Sequence, residues 1–484
     1  MRSGSYPGCC WARWLLKPCL VLLLLAAANP PAIAAETQAS AAAVDLGQRM
    51  QALIEADWIA SDQRLQPATG FSLLPTRAVV ERGQRLLTRL QSAVAASRLE
   101  PLANELTKLD QRLRQLEAAA TTPEDARREL YLQAHRVVRQ IAWTNPLLNF
   151  HSLLFIERHD SGGIFHMCDQ YYGCNAKPGG GLFVLRDPLG PQPQLVNLLE
   201  HSVVENGRLT GQQLSGGAFL SPELSYDGRT ILFAYSQAQA KETYQWAPEY
   251  SYHIFKVNAD GTGLVQLTDG AWDDFDPCWL PNGRIAFVSE RRGGYLRCGR
   301  HCPVYTLHSM EPDGSDIVRL SYHETHEWNP SVTNDGMLVY SRWDYVDRDT
   351  NIAHHLWTSY PDGRDPRSFH GNYPVRRESR PWMEMRIRAI PGSNKFVAST
   401  GAHHGHEFGS LVLIDPRPED DTAMSQLERL TPDVPFPEQI VPLLSCHFFQ
   451  TYVTLRLVDW GRPCLRDGQS VMYQHQQAKL RAGA

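Results

Sequence analysis

The sequence predicts a mainly β protein of the β-propeller class, preceded by an α-helical hairpin. Three observations predict it: a repeat of about 50 residues, two hairpin signals in each period, and a Leu-rich helical pattern ahead of the repeats. Four antiparallel strands per period are typical of propeller blades, whose radial packing buries both faces of each sheet. Tandem sandwich domains are the rival class, but they would need about 100 residues per repeat.

Residues 1–34 predict a secretory signal peptide. Basic residues precede the apolar run CLVLLLLAAA at 19–28, and small residues suited to cleavage follow it. This run is shorter than the roughly 20 apolar residues of a membrane-spanning helix. We therefore expect cleavage after Ala34 and a periplasmic or secreted protein. No later run is long and apolar enough to cross a bilayer, so we expect no membrane span in the mature chain.

The net charge bears on nucleic-acid binding, and the cysteines bear on disulfide formation. The formal net charge is −5, and without a basic excess we expect no nucleic-acid partner. Export permits disulfides, and two close pairs are candidates, although sequence does not fix their connectivity. The pairs are Cys168 with Cys174 and Cys298 with Cys302.

The N-terminal part predicts a linker over 35–77 and a helical hairpin region over 78–145. Leu102, Leu106, Leu109, Leu113 and Leu116 recur at alternating steps of four and three, which places them on one face of a helix. A second apolar face follows over 126–141, so we expect two helices or three. A stripe this short favours helices packed on each other over a dimerising coiled coil.

The propeller is predicted over 146–438. Pro222, Pro277, Pro330 and Pro381 are spaced by 55, 53 and 51 residues, and Asp-Gly or Asn-Gly turns recur between them. The prolines are expected just before the strand that follows. We count four blades and the opening strand of a fifth at SLVLIDPR (410–417). Residues 439–484 carry no blade signal, and a divergent tail or a change of reading frame would each explain them.

Two resemblances support this interpretation. Asp-Gly hairpins followed by QLT or RLS resemble TolB-type six-bladed propellers. Four further segments resemble a bacterial family related to the middle domain of the hydrazine synthase alpha subunit. They are HMCDQYYGCNAKPGGGLFVL (166–185), CGRHCPVYTLHSM (298–310), WDYVDRDTNIAHHLW (343–357) and GAHHGHEFGSLVLIDPR (401–417). The resemblance covers about 145–438 and implies an exported, redox-linked protein with a six-bladed propeller, incomplete in this chain.

The resemblance does not carry haem over to this chain. Hydrazine synthase attaches c-type haem through Cys-x-x-Cys-His, and this motif occurs nowhere in the sequence. CGRHC has one residue too many between its cysteines. We therefore do not expect covalent c-type haem or hydrazine formation.

A histidine cluster is the strongest candidate for chemistry. His403, His404 and His406 lie beside each other in GAHHGHEFG, and His404 and His406 would face the same way in an extended segment. Two imidazoles on one face can bind zinc or another transition metal, and His354 or His355 would supply a third ligand. The alternative is that these loop histidines bind only backbone groups or water.

Two other polar segments have structural explanations as well as functional ones. His323 and His326 in YHETHEW lack the spacing of the zinc-protease helix and are candidate pocket residues by position alone. Asp344, Asp347 and Asp349 could bind calcium or pair with Arg342 and Arg348, and ion pairing is favoured. Asp276, just before Pro277, is expected to fix a turn.

Two functions fit the sequence. The first is an exported propeller protein that binds a partner protein or a small ligand at the mouth of the ring. The second is a metal- or haem-dependent redox enzyme or lyase that uses histidines of the propeller channel. Since fold analogy supplies no mechanism, the sequence favours binding.

Overall fold

The computed structural model describes residues 48, 50–59, 71–158, 176–190, 192–238, 248–297, 302–345, 353–370, 381–401, 410–418, 426–430 and 456–457. Its described part is mainly β, with helices confined to the N-terminal side apart from single 3₁₀ turns.

Helices α1 to α4 precede the sheets. They cover 50–59 (α1), Leu73–Leu90 (α2), Ala96–Ala118 (α3) and Glu124–Trp143 (α4). Helices α2, α3 and α4 pack on one another around a core that includes the predicted leucine stripe. Gly83 permits close packing, because a Cβ there would lie 2.6 Å from Val138 Cγ2. None of the described helices has both the length and the apolar character needed to cross a bilayer.

The helical region begins earlier than the sequence predicts, and α2, α3 and α4 correspond to the larger of the two expected numbers of helices. Helix α1 and the start of α2 lie inside the segment predicted to be a linker. Trp58 and Ile59 of α1 pack on buried Phe71 and Tyr131, and the Tyr131 hydroxyl donates to the Trp58 carbonyl at 3.0 Å. Short helices depend on such tertiary packing more than on their own propensity, which explains why the pattern alone misses α1.

The strands of the described residues form five units of four, numbered in chain order. Unit 1 is β1 (Ser152–Arg158), β2 (Gly180–Arg186) and β3 (Gln194–Asn197), with β20 (Arg456–Leu457) beside β1. Unit 2 is β4 (Ala218–Leu224), β5 (Thr230–Ser236), β6 (His253–Asn258) and β7 (Val265–Gln266). Unit 3 is β8 (Asp274–Trp279), β9 (Ile285–Ser289), β10 (Thr306–Met310) and β11 (Val318–Arg319). Unit 4 is β12 (Glu327–Val332), β13 (Leu338–Trp343), β14 (His354–Ser359) and β15 (Arg367–His370). Unit 5 is β16 (Met383–Ala389), β17 (Phe396–Gly401), β18 (Leu411–Ile414) and β19 (Leu427–Arg429).

The units are arranged as in a propeller. Units 2 to 5 are antiparallel meanders, and one parallel bridge between His354 and Met383 joins unit 4 to unit 5. The first strands of successive units contact each other, β4 on β8, β8 on β12 and β12 on β16. Sheets that meet along their first strands surround a common line, which we call the axis. The chain therefore has a propeller-type fold, with large aromatic residues such as Phe275, Tyr305 and Trp328 buried between the units.

The repeat count differs from the predicted one at both ends. The sequence predicts that β18 opens a fifth blade, but β18 is the third strand of unit 5. Unit 1 lies ahead of the first repeat proline. In units 2 to 5 the repeat proline lies in or just before the first strand. In unit 1 the position of that first strand is occupied by β20, which comes from the predicted divergent tail. The proline spacing therefore does not reveal unit 1.

The first strands of units 2 to 5 share a β-bulge. The bulged residues are Ser221, Asp276, Asn329 and Arg386, with left-handed φ values of 51°, 50°, 51° and 53°. The pairing with the second strand shifts at each of them. Pro222, Pro277 and Pro330 follow three of these residues, so they lie inside strands and not before them as predicted. A bulge tolerates a residue without an N–H.

The fourth proline of the sequence repeat has a different position. Pro381 precedes β16, and Ile387 follows the bulged Arg386 in that strand. The spacing of about 50 residues is therefore a property of the units, whereas proline marks the bulge in only three of them.

Asp-Gly turns pack units 2, 3 and 4 on the unit before each of them. Gly261, Gly314 and Gly363 have φ values of +88°, +89° and +83°. A Cβ at these positions would lie 2.5, 2.2 and 2.1 Å from the carbonyl oxygens of Leu198, Leu267 and Leu320 in the preceding units. Only glycine fits both the backbone angle and the contact. This explains why Asp-Gly turns recur together with the leucine of QLT and RLS.

Candidate functional site

One end of the units carries the long connections. The second and third strands are joined through 159–179, 237–252, 290–305, 344–353 and 402–410. The first and second strands of units 2 to 5 are joined by only five or six residues, at 225–229, 280–284, 333–337 and 390–395. Successive strands of a meander run in opposite directions, so the long connections share one end, which we call the long-loop end. The family-like motifs and the histidine cluster fall largely in these connections.

The four bulged residues meet at the axis, and we call them the axial ring. Asp276 accepts hydrogen bonds from the Ser221 hydroxyl, from the backbone N (3.1 Å) and Nδ2 (2.8 Å) of Asn329, and from Nη1 of Arg386 (3.3 Å). Asn329 Oδ1 accepts from the backbone N of Arg386 at 3.3 Å. The repeated bulge thus brings one polar residue from each of four units into a single network.

The axial ring leaves little open space. The cavity that it bounds with Glu223 and Arg388 measures about 10 Å³, roughly the space of one water molecule. Burial raises the pKa of Glu223 to about 7, opposed by Arg388, whose Nη2 lies 3.5 Å from Glu223 Oε2. Burial also raises the pKa of the Cys278 thiol, which makes it a poor nucleophile. In the described units, protein groups fill the centre.

A larger concave space, which we call the groove, lies between units 3 and 4. Its volume is about 590 Å³, within the range of small-ligand sites. Unit 3 lines it with Leu307 and residues 320–324, and unit 4 lines it with Tyr340, Arg342, Asp344, Ser359 and residues 363–366. Side chains alternate along a strand, so Tyr340, Arg342 and Asp344 face the same side of β13 and its continuation. The groove reaches the long-loop end at Asp344.

Arg342 is held in a fixed position in the groove. Its Nε donates to Asp344 Oδ1 at 2.9 Å, and Trp357 Nε1 donates to Asp344 Oδ2 at 3.1 Å. The guanidinium lies over the Trp357 ring, 3.8 Å from the centroid. One carboxylate therefore fixes both the cation and the aromatic surface beneath it.

The two predicted pocket histidines occupy different environments. His323 lines the groove, and its Nε2 donates to the Trp343 carbonyl at 2.7 Å. Burial lowers the pKa of His323 to about 3, and the charge of Arg342 adds to this effect, so the ring is neutral at physiological pH. His326 lies in the core, where its ring stacks on Tyr305 at 4.8 Å between centroids. The sequence was therefore informative for His323 alone.

The buried acid Glu327 contacts two residues that line the groove, Ser321 and Leu307. Glu327 accepts hydrogen bonds from the Ser321 hydroxyl at 2.8 Å and from the Leu307 backbone N at 3.1 Å. Burial raises the pKa of Glu327 to about 7, although both hydrogen bonds and Arg342 favour the ionised form.

The Glu327→Gln variant should have a flatter pH dependence of stability between about pH 4.5 and 7. The pKa of Glu327 in the folded state lies above its ordinary value of 4.5, so in this window the folded state binds more protons than the unfolded state. The free energy of unfolding of the unchanged protein therefore falls as pH rises through the window. Glutamine keeps the shape but does not titrate. Denaturant titrations at a series of pH values measure the difference, and parallel curves for both proteins would contradict the assignment.

The predicted metal ligands are only partly described. His354 and His355 are neighbours on β14, so their side chains point to opposite faces. His354 stacks on Trp343 at 5.0 Å between centroids. His403, His404 and His406 lie outside the described residues. Among the residues that are described, no three His, Cys, Asp or Glu side chains form a metal-binding group. The metal site stays a prediction.

The remaining predicted site residues also fall into two groups, those that the structure describes and those that lie outside the described residues. Cys168, Cys174 and Cys298 lie outside the described residues, and Cys302 is buried with its Sγ 3.7 Å from His326 Nε2. Asp344 pairs with Arg342, the favoured alternative for that acidic segment. The other members, Asp347, Asp349 and Arg348, lie outside the described residues.

Sequence reasoning missed most of the axial ring. It assigned Asp276 to a turn, whereas Asp276 occupies a strand bulge and accepts hydrogen bonds from three other units. Ser221 and Asn329 had a signal, because each precedes a repeat proline. Arg386 had none, since no proline follows it.

The fold places the chain among proteins of the β-propeller class. No known family model matches it. A segment of 94 residues is 33% identical to dipeptidyl-peptidase 5 of Porphyromonas gingivalis, and covers 18% of this chain and 13% of that protein.

Solved structures of propeller proteins are also similar. Hydrazine synthase of Kuenenia stuttgartiensis matches with a TM-score of 0.43 and 14% identity, over 58% of this chain and 39% of that one. TolB of Acinetobacter baumannii matches with a TM-score of 0.36 and 12% identity, over 64% and 60%. The chain spans less than two thirds of each relative. The resemblance to hydrazine synthase and TolB seen in the sequence is thus found among solved structures as well.

Proposed function

We propose that this chain is an exported, periplasmic or secreted, β-propeller protein that binds a partner protein or a ligand at the long-loop end, through the groove between units 3 and 4. The groove itself carries the proposal. It is the larger of the two spaces described above, and it opens beside connections that hold the sequence motifs. The axial ring, by contrast, leaves room for about one water molecule.

The residues of the groove are suited to recognition. They combine an exposed aromatic ring at Tyr322 with the guanidinium of Arg342, which is fixed in place. A few polar groups placed within a concave surface are typical of binding sites. His323 is neutral and donates to a backbone carbonyl, so it shapes the surface of the groove and does not act as an acid or base.

Photocrosslinking at two tyrosines tests this function. A benzoylphenylalanine at Tyr322 should capture one adduct of defined mass in cells of the source organism, and an excess of unmodified protein should suppress it. Tyr226 is the control at the opposite end: it lies in a short turn and is 37% exposed, compared with 73% for Tyr322. Equal capture at both positions, or an adduct that excess protein leaves unchanged, would contradict the proposal.

The enzyme alternative makes a separate prediction. A metal-dependent redox enzyme or lyase would carry stoichiometric metal after purification and would lose it in His404→Ala or His406→Ala. Metal analysis and an absorption spectrum of the purified protein measure this directly. Metal that disappears in these variants, together with absent capture at Tyr322, would replace the binding function with the enzymatic one.

A further inference from the structure

We propose that the groove recognises a carboxylate group, seated on the Nη1 and Nη2 atoms of Arg342. The inference rests on the binding function proposed above and names the chemistry of the ligand. It depends on the geometry of one side chain and on how the charges around it are paired.

The guanidinium is only partly used by the protein. Its Nε donates to Asp344, while no acceptor within the described part of the chain takes a hydrogen bond from Nη1 or Nη2. The side chain is 19% exposed and lines the groove. The two Nη atoms of a guanidinium present parallel N–H groups that match the two oxygens of a carboxylate.

The fork is oriented before any ligand arrives. Asp344 holds Nε, and the Trp357 ring supports the flat face of the guanidinium. Trp357 is itself fixed by the hydrogen bond from its Nε1 to Asp344. Arginine otherwise loses much rotamer freedom on binding, so a fork held in this way costs less to engage.

Nearby acids do not compete for the fork. Glu324 pairs with Arg297 at 2.9 Å, and Asp365 pairs with Arg367 at 2.7 Å. Glu327 lies behind the wall, with its oxygens bonded to Ser321 and Leu307. Glu324, Asp365 and Glu327 therefore each have their own donor, whereas Asp344 accepts from Nε of Arg342.

Tyr340 and Ser359 also line the groove from unit 4, but both are buried, and the Ser359 hydroxyl oxygen is not exposed to solvent. The charged group of the ligand is therefore recognised at Arg342. A phosphate group also fits a guanidinium, but a dianion beside Asp344 would meet stronger repulsion than a carboxylate.

Titrations with small probes test the carboxylate. Succinate represents a free dicarboxylic acid, and acetylated pentapeptides with a free or an amidated C-terminus represent a protein terminus. Succinamide, without a carboxylate, is the control probe. We expect succinate or the free-terminus peptides to bind by ligand-observed NMR, and succinamide and the amidated peptides to bind much more weakly. Comparable binding of the charged and neutral probes would overturn the proposal, as would the failure of all of them to bind.

Three variants locate the interaction. Arg342→Gln should lower the affinity for the bound probe by about tenfold, or about 1.4 kcal/mol. Arg342→Lys keeps the charge beside Asp344 but presents no parallel donors, so it should also weaken binding severalfold. Arg417→Gln is the matched control outside the groove, because Arg417 is 60% exposed and its Nε also bonds to an aspartate two positions away, Asp415. It should change affinity by less than about twofold.

The outcomes separate this inference from the proposed function. Thermal unfolding confirms that each variant is folded before titration. Unchanged affinity in folded Arg342→Gln and Arg342→Lys proteins would sink the carboxylate site, whereas capture at Tyr322 would still support binding at the groove. If the crosslinker at Tyr322 captures nothing and succinate still binds at Arg342, the proposed partner is ruled out and the carboxylate site remains.

Discussion

Gly314→Ala should lower the free energy of unfolding by about 3 kcal/mol, through left-handed backbone strain and a clash between units. Gly314 has a φ of +89°, and a Cβ there would lie 2.2 Å from the Leu267 carbonyl oxygen. Because this neighbour is backbone in unit 2, it cannot move aside as a flexible side chain can. Unit 3 would have to shift relative to unit 2 to accommodate one methyl group.

Gly283 provides a matched control in the same unit. Its φ is +87°, but a Cβ there would have no atom within 4 Å in the described structure. Gly283→Ala should therefore show the backbone strain alone, about 1 kcal/mol. Denaturant unfolding of both variants measures the difference, with an unchanged m-value as the sign that the native state is otherwise intact. Equal losses in both variants would mean that the contact with Leu267 contributes nothing.

These glycines show how far the sequence predicts the fold. The Asp-Gly pairs predicted hairpins, and the hairpins are present because local backbone preference and strand pairing agree there. The sequence does not predict the contact between Gly314 and Leu267. These residues lie 47 positions apart, and the only pattern they share is that each belongs to a recurring motif. Local chemistry thus predicts a unit, whereas contacts between units need coordinates.

The candidate site shows the same division. The sequence favours ion pairing of this acidic segment with Arg342 and Arg348 across blades. The observed pair of Arg342 with Asp344 forms within one unit, because residues two positions apart along a strand face the same way. The groove itself requires residues 320–324 of unit 3 to face β13 of unit 4, and no pattern within either segment predicts that. His326 illustrates the reverse error, because a histidine in a polar sequence is buried here by Tyr305 and Trp328.

Asp276→Asn should lower the free energy of unfolding by about 2–3 kcal/mol, the cost of leaving buried donors and a cation without their acceptor. Asparagine has nearly the same size and tolerates the left-handed backbone at this position, where φ is 50°. However, its amide replaces one acceptor oxygen with a donor. It would therefore face at least one of the groups that now donate to Asp276, from Ser221, Asn329 or Arg386.

Asp365→Asn separates this network from the backbone effect. Asp365 also has a left-handed φ, 54°, and also pairs with an arginine, but the pair with Arg367 is at the surface. Its loss should cost less than about 1 kcal/mol. Denaturant unfolding of the two variants compares a buried acceptor with an exposed one. Similar losses would show that the axial position of Asp276 adds nothing to its contribution.

A double-mutant cycle determines whether the axial ring joins units or only fills space. Ser221 belongs to unit 2 and Asp276 to unit 3, so their hydrogen bond connects different sheets. If that bond stabilises the arrangement, Ser221→Ala should cost less in the Asp276→Asn background than in the unchanged protein, with a coupling of about 0.5–3 kcal/mol. Gly283→Ala touches neither residue and should add to Asp276→Asn without coupling. Additive losses for Ser221 and Asp276 would show that this hydrogen bond does not contribute to holding units 2 and 3 together.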